Sequence, residues 1–111
     1  MSTHDDPDQT ESAADATVLT DVLGDHPKVR IIVALLGESD RDRNPTEIAR
    51  LAGIDRTTFY DHVDDLLAYG IVEQTRTVGN SPMYQLDREN PAAEDLAALE
   101  WDLLDRIPAS D

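Results

Sequence analysis

Cysteine is absent from the 111-residue sequence, which excludes disulfides, thiolate metal sites and cysteine nucleophiles together. Lysine is almost absent as well, Lys28 being the sole example. Long apolar runs are missing. The longest, Ile31-Ile32-Val33-Ala34-Leu35-Leu36, falls far short of the roughly 18 residues a membrane span needs. The start, Met1-Ser2-Thr3-His4-Asp5-Asp6, has neither the basic nor the apolar region of a signal peptide. The expectation is a soluble, cytoplasmic protein with no membrane partner. Aromatics make up only 5% of the chain, yet 40% of it is apolar, enough for one small helical core and too much for a wholly disordered chain.

What the sequence has in abundance is acid. Asp+Glu 24 against Lys+Arg 9 gives a net charge of −15, and most of the acids are aspartates. Short, strongly hydrated aspartates with few long lysine stems suit a surface that stays solvated in concentrated salt. The bias resembles that of proteins from halophilic archaea. On that resemblance the acidity describes the solvent and says little about partners.

Residues 1–15 are polar, acidic and aperiodic, the pattern of a disordered tail. Apolar periodicity predicts a short helix from about Ala16 to Leu23, closed by Gly24, and a second from Pro27 to about Gly37 that is apolar round most of its circumference. A loop follows over Glu38 to Arg43. Asn44-Pro45-Thr46-Glu47 reads as N-cap, first-position proline and third-position acid of a helix to about Ala52. Gly53-Ile54-Asp55 is a tight connection, with Asp55 capping a helix from Arg56 to about Tyr69 that points Phe59, Val63, Leu66 and Leu67 inward. The period then changes. Ile71 to Val78 and Met83 to Leu86 alternate as strands around Gly79-Asn80-Ser81-Pro82, predicting a hairpin. A last helix spans Pro91 to about Ile107, capped by Asn90 and stopped by Pro108. The divisions are therefore a tail at 1–15, a domain at 16–88, a C-terminal helix at 89–107 and a second tail at 108–111.

Two helices joined by three residues and followed at once by a hairpin predict an α+β, mainly helical winged helix-turn-helix. The stretch from Asn44 to Val63, with its glycine turn and capped second helix, and the exit Leu66-Leu67-Ala68-Tyr69-Gly70-Ile71-Val72-Glu73, resemble the ArsR/MarR-like winged regulators of haloarchaea over about residues 17–107. The resemblance implies a homodimeric, duplex-DNA-binding transcription regulator.

With Phe59 centred on the core face, a step of about 100° per residue turns Thr57, Thr58, Asp61, Asp64 and Asp65 outward and leaves Arg56 and Tyr60 on the flanks. The arginine, the hydroxyls and the phenol are suited to base edges and phosphates in a major groove. Arg41, Arg43, Arg50, Arg56 and Arg76 lie between the loop before the helix-turn-helix and the wing, a candidate phosphate-facing patch. The pairs Arg41-Asp42-Arg43 and Asp55-Arg56 offer the alternative of neighbouring ion pairs. Thr46 completes the candidate DNA contacts on the helices, and the wing residues Thr75, Arg76, Thr77, Asn80 and Ser81, Arg76 foremost, are expected to reach a minor groove or the phosphates. Tyr84 is expected to pack the hairpin. Arg56 and Arg76 are expected to be removable at little folding cost.

The aspartates Asp61, Asp64 and Asp65 depart from the basic outer face usual in such regulators. They imply cations bound between protein and DNA, or a helix that enters the groove by its N-terminus only, or a different role, a winged-helix interaction module that docks a protein through an acidic helix face. In the last helix, Leu96, Leu99, Leu103 and Ile107 form one apolar stripe, and Ala97, Trp101 and Leu104 a second about 100° round it. One covers the domain. The other predicts a homodimer interface built from Leu96, Leu99, Trp101, Leu103 and Leu104 with Val18, Leu19 and Val22 of the first helix. His4, His26 and His62 do not converge in sequence, His62 being expected to face away from any second histidine, so no metal site is predicted. No catalytic triad, phosphate cradle or cofactor motif appears, and no enzyme activity is expected.

Overall fold

A computed structural model describes residues 18–37 and 41–106 of the chain. The expected tails at 1–15 and 108–111, the start of the first helix at Ala16, the loop residues Glu38 to Asp40, and Ile107 lie outside the described residues. Seven elements follow in order: α1 (Val18–Leu23), α2 (Pro27–Gly37), α3 (Pro45–Ala52), α4 (Arg56–Ala68), β1 (Val72–Val78), β2 (Ser81–Leu86) and α5 (Pro91–Asp105).

Local chemistry fixes the ends of the central helices. Asn44 opens α3 with a reciprocal capping box: its Oδ1 accepts from the Glu47 N–H at 2.8 Å, and Glu47 Oε1 accepts from the Asn44 N–H at 3.3 Å. Gly53 closes α3 at φ 74°, a left-handed conformation that glycine adopts without steric cost. Two residues on, Asp55 Oδ1 accepts the Thr58 N–H at 2.7 Å and starts α4. Helix α4 ends at Gly70, φ 76°, where a Cβ would collide with the Asn90 amide. Asn90 Nδ2 donates to the carbonyls of Tyr69 and Gly70 at 3.2 and 2.7 Å while its Oδ1 caps α5 at the Ala92 N–H. One side chain thus joins the end of α4 to the start of α5.

Helix α2 is the axis of the core. Ile31, Ile32, Val33, Ala34 and Leu35 are all buried in succession, which requires cover on opposite sides. On one side Ile31, Ile32 and Leu35 pack with Ile48 of α3, Phe59, Val63 and Leu66 of α4, and Val72, Tyr84 and Leu86 of the hairpin. On the other, Val33 meets Leu19 of α1 and Leu99 and Leu103 of α5. Phe59 is fully buried at the centre of the larger cluster, so its truncation to alanine costs about 3–5 kcal/mol.

The hairpin is antiparallel, pairing Val72 with Leu86 and Gln74 with Tyr84, then Arg76 with Met83 and Val78 with Ser81. Thr75 is left without a partner, a β-bulge between Gln74 and Arg76. Ser81 and Pro82, expected in the turn, belong to β2; Gly79, at φ 62°, and Asn80 alone make the turn. Proline is tolerated there because a two-stranded sheet is all edge. The segment before α3, read as loop, contributes a one-residue third strand: Arg43 and Tyr84 exchange backbone hydrogen bonds of 2.8 Å in both directions. Helix-turn-helix, hairpin and the helix after it form an α+β winged helix-turn-helix.

Candidate nucleic-acid interface

The first turn of α4 is presented by its cap and backed by a stack of rings. Asp55 is exposed and held below the usual carboxylate range by the Thr58 backbone N–H and then the Thr58 side chain. Next to it Arg56, Thr57 and Tyr60 are exposed, with Thr58 half-buried. The Arg56 guanidinium lies 5.9 Å from the centre of the Tyr60 ring, within cation–π reach. Tyr60 meets Phe59 edge to face at 5.5 Å, and Phe59 meets Tyr84 in the same way at 5.5 Å. Tyr84 is buried, as expected of a hairpin-packing residue. A continuous aromatic path therefore supports Arg56 from the core.

Thr46 and Arg50 are exposed on α3, and Asn80 is exposed at the wing turn. The remaining arginines have partners. Arg41 donates to the Asp42 carbonyl at 3.3 Å and lies 3.5 Å from Glu47 Oε2. Arg43 keeps only 12% of its side chain exposed and sits 3.7 Å from the same Glu47 oxygen. The neighbouring ion pairs offered by the sequence take another form. The Asp42 carboxylate receives Arg76 Nε at 2.9 Å and Nη2 at 3.1 Å, from 34 residues away. The Thr75 hydroxyl donates to Asp42 as well. The Arg76 hydrogen bonds first, then Thr75, hold the buried Asp42 carboxyl down at about 2, and the same pair raises Arg76 above its ordinary value. Arg76 is thus not removable at little folding cost, because its loss strands a buried carboxylate. Nothing in local spacing signals Asp42, so it was missed among the candidates.

The acidic face divides. Asp61 and Asp64 are exposed. Asp65 instead turns to α2 and pairs with Lys28 at 2.7 Å, which lowers its carboxyl pKa chiefly through that hydrogen bond. Asp65 nevertheless stays exposed, as expected, so the added finding is its partner on α2. His62 departs from expectation: its ring meets His26 at 5.2 Å, edge to face, because the turn before α2 lies against α4. His26 Nδ1 accepts the Lys28 N–H at 3.0 Å. Among the described residues, no three histidine or carboxylate side chains converge as a metal site, and no helix is long and apolar enough to cross a membrane.

Across α2 lies a surface of the opposite kind. Leu19 is buried within the chain, and Leu99 and Leu103 pack on it; Leu96 packs on the larger core and Val18 is half-buried. Trp101 is 70% exposed, Val22 58%, Leu23 50% and Leu104 46%. Glu100, beside Trp101, is half-buried, and burial raises its pKa.

No protein-family model matches the chain, and no curated protein matches it. Among solved structures it is similar to the transcriptional repressor CouR, bound to a 23-mer DNA duplex, with a TM-score of 0.53 and 25% sequence identity. The match covers 69% of this chain and 52% of that one, so this chain spans about half the length of the repressor. The chain accordingly has the winged-helix fold of a transcriptional regulator.

Proposed function

We propose that the protein is a sequence-specific regulator of transcription, of the ArsR/MarR-like type, that binds duplex DNA as a homodimer in a halophilic cytoplasm. The first turn of α4 carries the reading: Arg56 and Thr57 stand exposed, with Tyr60 beneath the guanidinium, where a recognition helix enters a major groove. Thr58, Thr46, Arg50 and Arg41 border that turn, Arg43 contributes through its backbone bridge to the wing, and Arg76 and Asn80 meet the duplex from the wing. The likeness to a repressor held on DNA supports this placement.

The apolar face of Val22, Trp101 and Leu104, seated on Leu19, Leu96, Leu99 and Leu103 with Val18 at its edge, pairs two copies. Asp61 and Asp64, exposed on the face of α4 nearest the duplex, take up cations on binding. That uptake offsets the counterions released by the arginines, so affinity falls with salt less than the roughly −0.9 per phosphate of ordinary binders.

Fluorescence anisotropy with a duplex from upstream of the protein's own gene, in molar KCl, tests the reading. Binding is expected, and Arg56→Ala weakens it by about 10–100-fold, the loss of one bidentate base contact. An intact dimer that binds no duplex overturns it and favours a protein-docking module using Asp61 and Asp64.

A further inference from the structure

The wing contains a built device that the DNA reading alone does not use. In a regular strand Thr75 and Arg76 point to opposite faces. The bulge at Thr75 breaks that alternation, and both side chains reach the same Asp42 carboxylate. Asp42 is itself immobilised: its side chain is about 10% exposed, and the adjacent Arg43 is pinned to Tyr84 by two backbone hydrogen bonds. Three residues on, α3 begins. The wing arginine is therefore referenced to the frame of the helix-turn-helix and not to the flexible end of a hairpin.

The geometry also says which part of Arg76 is available. A guanidinium has two bidentate edges, Nε with one Nη and the two Nη atoms together. Asp42 occupies the first, through Nε and Nη2. The other edge is left toward solvent on a side chain 62% exposed. Two parallel N–H groups on a fixed plane match two oxygens of a phosphate.

We propose that Asp42, assisted by Thr75, is the positioning residue that presents the free edge of Arg76 to a backbone phosphate of duplex DNA. The inference rests on the DNA-binding reading. It predicts an effect opposite in sign to simple electrostatics: removing the negative charge of Asp42 weakens binding to a polyanion.

The test measures affinities of the full chain for its upstream duplex and for an unrelated duplex, at several KCl concentrations, together with melting curves. Asp42→Asn weakens both duplexes alike, by about tenfold. Arg76→Gln does the same and makes the salt slope less negative by about 0.9, one phosphate. The double variant binds no more weakly than Arg76→Gln, since the carboxylate acts through the arginine. Thr75→Val, at an exposed position, keeps the fold and weakens binding about threefold, and it decides the matter if Asp42→Asn does not melt cooperatively. Unchanged or tighter binding by Asp42→Asn overturns the proposal, as does a loss confined to one sequence or a loss in the Arg76→Gln background that adds in full. A parent protein that binds neither duplex overturns the DNA reading itself, an outcome separate from a parent that binds and variants that bind equally well.

Discussion

Around α4 and the hairpin, polar side chains are held by other polar side chains: Asp42 by Arg76 and Thr75, Asp65 by Lys28, Arg56 by the Tyr60 ring. Across α2, on α1 and α5, large apolar side chains stand in solvent with nothing above them among the described residues, Trp101 most of all. The first surface is completed within one chain. The second is not, among the described residues, and uncovered apolar area of this kind is what a partner molecule would cover. The contrast separates two ways of preparing to bind: ordering charged groups in advance, and leaving hydrophobic area uncovered.

The largest expected effect breaks the second half of the comparison. On the proposed function the parent is expected to sediment as a dimer, and Trp101→Ala to weaken self-association by at least about 2 kcal/mol, as for a buried aromatic anchor. Because Trp101 is 70% exposed in the protomer, the variant keeps its helix content. A Trp101→Ala protein that sediments as the parent does removes α5 from the interface.

Acid sharpens the first half. Asp42 sits at about 2 in the folded chain against an ordinary 3.8, so below about pH 4 the unfolded state takes up its proton first and stability falls. The contribution is complete above that range and lost as pH drops toward 2. Melting midpoints of the parent therefore fall more steeply between pH 5 and 2 than those of Asp42→Asn. Asp55 and Asp65 are lowered too, but they remain in both proteins and cancel. Parallel curves would show that the Arg76 pair adds nothing to folding.

The smallest effect has the opposite sign. Burial raises the Glu100 pKa, so the folded chain binds the proton more tightly than the unfolded one, and the charged form is a cost at neutral pH. Glu100→Gln raises the melting midpoint at pH 7 by about one degree, the scale of a few tenths of a kcal/mol in a domain this size. The gain disappears as pH falls and the parent protonates. A lower midpoint at pH 7 would mean that the carboxylate has a partner.

Elements governed by neighbours in sequence were legible. Asn44, Pro45 and Glu47 announce the start of α3, Gly53 and Asp55 the turn, and the spacing of Phe59, Val63 and Leu66 the buried face of α4; all stand where the pattern places them. Of the two stripes of α5, Leu96, Leu99 and Leu103 pack inward and Trp101 and Leu104 stand exposed, while Ala97 is half-buried and Ile107 lies outside the described residues. What escaped depends on contacts across the fold. A helical wheel gives the direction of Asp65 and His62 but not what stands there, and α2 brings Lys28 and His26 to meet them. Asp42 finds Arg76 across 34 residues, a partner that its near arginines gave no sign of. Turn chemistry in Gly79-Asn80-Ser81-Pro82 overstated the turn by two residues, since strand pairing claimed Ser81 and Pro82.

Helix α2 is buried without interruption from Ile31 to Leu35, so its side chains answer to two surfaces at once. Ile31, Ile32 and Leu35 serve the core under α4, while Val33 serves the one under α5. A polar replacement at any of these positions has no water to turn toward and disturbs the support of both surfaces. On the proposed function, screens for loss of DNA binding and for loss of self-association would converge on the same few codons, far from either surface, and only alleles outside α2 would separate the two phenotypes.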